Sequence, residues 1–133
     1  MWWRIAIALI LTVAGASPLR AQVSACTAPV TPAFIDPAGA TGDQLRGLLA
    51  AAQAFIAASN AYQACLNDDL QAQKDQASKE SKPLDPAIEA QVRTKLAANQ
   101  RDKEKVGNEA TNFVSEFKST HTCEGKPLAS CQN

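Results

Sequence analysis

The sequence predicts an all-α fold, namely an antiparallel, coiled-coil-like two-helix hairpin with a proline-rich N-terminal strap and disulfides. Two long stretches carry apolar residues in steps of three and four, and a polar stretch with two prolines separates them. Four cysteines, at positions 26, 65, 123 and 131, are candidates for disulfides that brace this arrangement. We therefore predict a signal peptide over residues 1–21, the strap over 22–42, the hairpin domain over 43–118 and a disulfide-closed tail over 119–133.

The first helix is predicted to begin at Asp43, because Thr41 and Gln44 have the spacing of a capping box. One face carries a continuous stripe, which is widened on one side near its start. Beyond Leu70 the sequence becomes polar, so we expect the helix to fray over residues 76–81. The stripe comprises Leu45, Leu48, Ala52, Phe55, Ser59, Tyr62, Leu66, Asp69 and Gln73, with Leu49, Ile56 and Leu70 beside it.

The second helix is predicted to begin after Asp85, with this aspartate as the N-cap and Pro86 at the first helical position. The short link between the two helices favours a hairpin. A coiled-coil seam extends to Phe117, and two of its positions are polar. The seam comprises Leu96, Asn99, Lys103, Val106, Ala110, Phe113 and Phe117.

A turn centred near Ser81 sets the register of the two helices, since facing residues then have numbers that add to about 162. This register brings a polar layer together at mid-hairpin, with Ser59 near Lys103 and Tyr62 near Asn99. We predict that the layer fixes the register, because a slip would leave its polar groups unpaired. Lys103 itself is expected to extend from the seam towards solvent. The same register opposes Leu66 with Leu96, Phe55 with Val106 and Ala52 with Ala110.

The N-terminus has the layout of a secretory signal, with Arg4 followed by an apolar run over residues 5–16 that is too short to span a bilayer. Cleavage after Ala16 or after Ala21 fits the small residues there, and both sites remain open. The full chain has 13 basic and 13 acidic side chains. That balance argues against a nucleic-acid binder. We expect a periplasmic or secreted protein without a membrane span after signal cleavage.

Four cysteines in an exported chain predict disulfides, and three pairings are possible. We favour Cys123 with Cys131, because the intervening residues are turn-rich, and this leaves Cys26 with Cys65. Residues 23–26 also fit a bacterial lipobox, in which Cys26 would be lipidated. The charge at Arg20 and the odd number of cysteines left by lipidation argue against that alternative, which stays open.

The strap contains three prolines and two glycines over residues 22–42, so it cannot be a continuous helix. We expect an extended segment that the bond between Cys26 and Cys65 lays along the first helix. Its apolar side chains, Val30, Phe34 and Ile35, should then be covered by the helices.

Only one short run, around His121 and Cys123, combines metal-binding or nucleophilic residue types. A zinc site needs three or four converging ligands, and an oxidised Cys123 is no nucleophile, so we expect an exposed tail histidine. The neighbours Asp68 and Asp69 diverge on a helix and are predicted to be surface charges. Glu89 should form a favourable surface pair with an arginine four residues later. No catalytic residue, metal or cofactor is predicted, and we expect the protein not to be an enzyme.

The run NQRDKEKVGNE over residues 99–109, with Cys26 and Cys65 upstream, resembles short exported helical-hairpin proteins of Gram-negative bacteria that have no known function. The resemblance covers Cys26 to about Phe117 and implies a periplasmic location. It implies no catalytic residue. The pair Cys123 and Cys131 departs from that group.

A two-helix hairpin buries only one edge of each helix, so the predicted fold favours binding over catalysis. We predict a partner-binding or envelope-associated structural module, whose partner is another protein or a second copy of the chain in a homodimer. The alternative is a small enzyme inhibitor that uses the loop between Cys123 and Cys131, since this is the only candidate for a protruding loop.

Overall fold

The computed structural model describes residues 26–123 and 126–127, and the described chain is predominantly helical. A short 3-10 turn, Pro37–Gly39, precedes helix α1, Gly42–Lys79, and helix α2 spans Pro86–Thr120. Two strands, β1 (Thr122–Cys123) and β2 (Lys126–Pro127), pair antiparallel. The predicted signal peptide and most of the lipobox fall in residues 1–25, outside the described ranges.

Helix α1 begins within one residue of the predicted start, and its capping box is present. The Thr41 hydroxyl accepts from the amide of Gln44 at 3.2 Å, and the glutamine side chain accepts from the Thr41 amide at 2.8 Å. The helix continues to Lys79, through most of the region predicted to fray. Hydrogen bonds between side chains four residues apart stabilise this polar end, and they join Asp69 to Gln73, Gln71 to Asp75 and Gln76 to Glu80.

The link between the helices turns at Ser81, as the sequence predicts. Ser81 has a positive φ of 53°, and the amide of Lys82 donates to the Ala77 carbonyl at 2.9 Å, which is the backbone pattern of a Schellman motif. Asp85 then caps α2 by accepting from the amide of Ala87 at 2.9 Å. Both helix ends at the link are therefore satisfied locally.

Buried side chains of the two helices pack against each other in three clusters. Among the described residues, Leu66 is 0% exposed and Val106 is 1% exposed. The predicted facing pairs lie together, because Phe55 shares a cluster with Val106, and Leu66 packs against Leu96. The three clusters are Ala40, Phe113 and Phe117; Ala52, Phe55 and Val106; and Tyr62, Leu66 and Val92.

The strap crosses the helices from Cys26, which is disulfide-bonded to Cys65 with their Cα atoms 5.8 Å apart. This predicted bond is confirmed, and it occupies the sulfur atom that lipidation would modify. Phe34 packs against the two buried clusters that contain Phe113 and Val106, and its ring centroid lies 6.1 Å from that of Phe113. The prediction that the helices also cover Val30 and Ile35 is wrong, since Val30 is 91% exposed and Ile35 is 45% exposed. A narrow extended segment turns only some of its side chains towards the helices.

The segment after Phe117 is more regular than the predicted loop. Helix α2 continues to Thr120, and Cys123 then pairs with Lys126 in a two-residue ribbon. Cys123 is disulfide-bonded. Its predicted partner, Cys131, lies outside the described residues.

Candidate partner-binding surface

A buried polar pair interrupts the apolar seam at its middle. Ser59 is 0% exposed and Asn99 is 5% exposed, and the Asn99 Nδ2 donates to the Ser59 Oγ at 3.1 Å. Both residues belong to the predicted polar layer. They sit between the cluster that contains Val106 and the cluster that contains Leu66.

The amide of Asn99 is only half satisfied within the described chain. Its Oδ1 is buried and has no hydrogen-bond partner. Turning the amide by 180° would let Oδ1 accept from the Ser59 hydroxyl, but Nδ2 would then lose its acceptor. A buried polar atom without a partner costs about 1–3 kcal/mol. The pair therefore lowers stability relative to an apolar seam, as register-setting polar layers do.

The other two residues of the predicted layer make different contacts. Tyr62 is 8% exposed and packs with Leu66 and Val92. Lys103 is half-buried, and its Nζ donates to the Asn60 Oδ1 at 2.5 Å. Lys103 therefore extends towards the exposed edge of the seam, as expected, and its bonding partner is Asn60, next to Ser59.

The seam has two flanks, and the strap is tethered to α1 on one of them. Successive residues of an α-helix are rotated by about 100°, so Cys65 and Asn67 are separated by roughly 200° around α1. The seam residue Leu66 lies between them. Cys65 holds the strap, whereas Asn67 faces the opposite side, which we call the free flank.

Polar contacts between the helices concentrate on the free flank. Gln63 donates to Gln100 at 3.4 Å, and Lys74 forms an ion pair with Glu89 at 3.5 Å. The bond from Lys103 to Asn60 continues this row. These contacts are exposed, so each contributes little to stability. They place amides and charges in a row beside the seam.

Glu89 interacts with two cations, Arg93 of its own helix and Lys74 of α1. A hydrogen bond from Arg93 and the positive charge of Lys74 hold the pKa of the Glu89 carboxyl below its usual range. The folded chain therefore favours the carboxylate, and its small stabilising contribution is present above the ordinary pKa of glutamate and is lost as the pH falls. The predicted pair of Glu89 and Arg93 is present at 2.7 Å.

A shallow groove runs between the helices on the free flank. Apolar surface from Leu96 forms part of it, and it is bordered by amides and by the Arg93 guanidinium. Further along α2, Gly107 has open space where a side chain would stand. The residues that line the groove are Gln63, Asn67, Arg93, Leu96, Ala97 and Gln100.

The remaining predicted features lie away from this flank. His121 is half-buried and hydrogen-bonded, so the expected exposed tail histidine is wrong. Asp68 is exposed, and Asp69 bonds to a neighbouring glutamine. Over residues 26–123 and 126–127, no group of three or more potential ligands could hold a metal ion, and no helix is long and apolar enough to cross a membrane.

The apolar spacing of the sequence did not indicate Asn60, Gln63 and Gln100 as members of this surface. Each lies one position from a stripe or seam residue, at Ser59, Tyr62 and Asn99 respectively. A heptad assignment could have found them, because positions beside the seam carry the cross-helix polar pairs of a coiled coil.

The chain matches no protein-family model, no curated protein and no solved structure. The resemblance of residues 99–109 to exported proteins of Gram-negative bacteria therefore stays a prediction.

Proposed function

We propose that the mature chain is an exported, non-catalytic helical hairpin that binds a protein partner in the periplasm or outside the cell. The free flank is the binding surface. The observation that carries this proposal is the asymmetry of the two flanks, since the strap is tethered to one of them at Cys65 and the groove beside Leu96 occupies the other.

The chemistry of the groove favours a polypeptide partner. Gln63, Asn67 and Gln100 offer both donors and acceptors, which suits a backbone or polar side chains. Leu96 offers an apolar contact between them, and Arg93 adds a positive charge at the edge. Interfaces combine an apolar centre with a polar rim in this way. The disulfide between Cys26 and Cys65 is compatible with the proposed exported location.

Site-specific photo-cross-linking tests the surface. A photoreactive side chain replaces Asn67 on the free flank or, as the matched control, its exposed neighbour Asp68, which is rotated by about 100°. Each purified mature protein is irradiated in a native envelope extract from the source cells. We expect one protein to be cross-linked at least about fivefold more from position 67, because Asn67 lines the groove and Asp68 does not. A factor of five corresponds to a free-energy difference of roughly 1 kcal/mol.

The mass of the product distinguishes a second copy of the chain from a different protein. Equal yields from positions 67 and 68, or no product from either, would contradict the proposed surface. A product made only of two copies would replace the partner protein by a homodimer that uses the same flank.

A further inference from the structure

The disulfide between Cys26 and Cys65 ties the start of the described strap to an open position on α1. Cys65 is exposed, whereas Cys26 is half-buried and packs against the cluster of Tyr62, Leu66 and Val92. The Cys65 end of the bond is therefore the one that a thiol can approach from solvent. Exposed disulfides are reduced more readily than buried ones.

Beyond the disulfide, the strap is partly buried at every third residue. Cys26, Pro29 and Pro32 are half-buried, and the residues between them are exposed. A repeat of three is that of a polyproline II segment, which forms no internal hydrogen bonds. A proline also favours this conformation in the residue before it. One ridge of the strap therefore lies towards the helices, and the other two face solvent.

Hydrogen bonds do not hold this part of the strap. Within the described chain, no hydrogen bond or ion pair joins residues 27–35 to either helix. Val30, in the middle of the segment, is 91% exposed. The next anchors along the strap are Phe34 and the buried Ala40, which pack in the cluster that contains Phe113. Between the disulfide and these anchors, the strap is held by the packing of two half-buried prolines.

Opening the disulfide therefore changes what it costs to keep this segment in place. A segment tied at both ends has few conformations to lose, whereas one tied only at Phe34 gains the conformational freedom of a chain end. The helices do not depend on the bond in the same way, because Tyr62, Leu66 and Val92 pack between α1 and α2. Loss of the bond should free the strap as far as Phe34 and leave the hairpin folded.

We propose that the disulfide between Cys26 and Cys65 is a redox switch for the strap. Oxidation fixes residues 26–33 on the hairpin, and reduction frees them as a mobile arm. Reduction also uncovers the part of the Leu66 cluster against which Cys26 packs. The reductant is a protein dithiol that reaches the exposed end of the bond. This switch acts on the strap and does not depend on the free flank.

The reduction is a thiol–disulfide exchange in two steps. A thiolate of the dithiol attacks the Cys65 Sγ and forms a mixed disulfide, while Cys26 leaves as a thiolate and takes up a proton. The second thiol of the reductant then displaces the Cys65 sulfur, which also takes up a proton. The dithiol becomes a disulfide, and two electrons and two protons pass to the two cysteines.

The freedom of the strap is tested with the variant Cys26→Ser/Cys65→Ser, which imitates the reduced state and keeps Cys123 for its own disulfide. Backbone order parameters are measured by 15N relaxation in the variant and in the oxidised wild type. At the amides within residues 27–31, we expect a fall from about 0.85 to below about 0.6. Ala40, which is buried, is the internal control and should stay at about 0.85 in both proteins.

Unchanged order parameters within residues 27–31 would overturn the proposal. Loss of the helical signals of α1 and α2 would overturn it as well, because the bond would then hold the whole fold and not the strap alone.

A second experiment asks whether a thiol reaches the bond in the folded protein. The wild type is treated with dithiothreitol in buffer and in concentrated urea, and free thiols are alkylated at intervals. Mass spectrometry quantifies the peptides with Cys26 and Cys65 separately from the peptide with Cys123. We expect the rate in buffer to lie within about tenfold of the rate in urea, because Cys65 is exposed. A rate about 10³-fold lower would indicate reduction through the rare unfolded state alone and would contradict the switch.

Discussion

Replacing Cys26 and Cys65 by serine is expected to lower the free energy of unfolding by about 4 kcal/mol. The bond closes a loop across a sequence separation of 39 residues, and a cross-link of that span removes much of the conformational freedom of the unfolded chain. It also holds the strap against the cluster of Tyr62, Leu66 and Val92. Urea denaturation of the double variant at fixed pH measures the loss.

A surface substitution in the same strap provides the control. Val30→Ser changes a side chain that is 91% exposed, so we expect its free energy of unfolding to stay within about 0.5 kcal/mol of the wild type. A loss below about 1 kcal/mol in the double cysteine variant would show that the strap is held by its packing and not by the disulfide.

The second large effect is expected in the polar layer. Ser59→Ala removes the acceptor of the Asn99 Nδ2, so the buried amide would have no partner for either polar atom among the described residues. We expect the free energy of unfolding to fall by about 1–3 kcal/mol. Ser78→Ala, at an exposed position of the same helix, is the matched control and should change it by less than about 0.5 kcal/mol.

The double variant Ser59→Ala/Asn99→Leu tests whether burying these two polar groups costs more free energy than their hydrogen bond contributes. With both polar groups gone, the seam becomes continuously apolar, and we expect stability to return to the wild-type value or to exceed it. A double variant as unstable as Ser59→Ala would show that the hydrogen bond is a net stabiliser, contrary to our account of the layer.

The local features of this fold could be predicted from the sequence. The capping box at Thr41, the N-cap at Asp85 and the turn near Ser81 each depend on a few neighbouring residues, so the sequence alone indicates them. The seam is also local, because the spacing of apolar residues along one helix fixes which face is buried. The approximate register followed from the position of the turn.

The contacts across the molecule could not be predicted in the same way. Whether Lys103 meets Ser59 or Asn60 depends on a rotation of the helices by a fraction of a turn, which the apolar spacing does not determine. His121 reaches Ala40 across nearly the whole described chain, and no sequence pattern signals a bond of that kind. The exposure of Val30 likewise depends on how the strap lies, since an apolar side chain in an extended segment can face either way.

The antiparallel arrangement of α1 and α2 is the claim on which the free flank and the proposed function depend. It is tested most directly by the distance between spin labels at Ala50 and Asn112. These two exposed positions lie opposite each other on the two helices in the predicted register. Labelled protein is diluted with unlabelled protein, so that only distances within one chain are measured. We predict a single distance of about 20–35 Å, from two helix axes that are about 8–10 Å apart plus the labels. A distance near 90 Å, as in one continuous helical rod, or a short distance that disappears on dilution, would contradict the account.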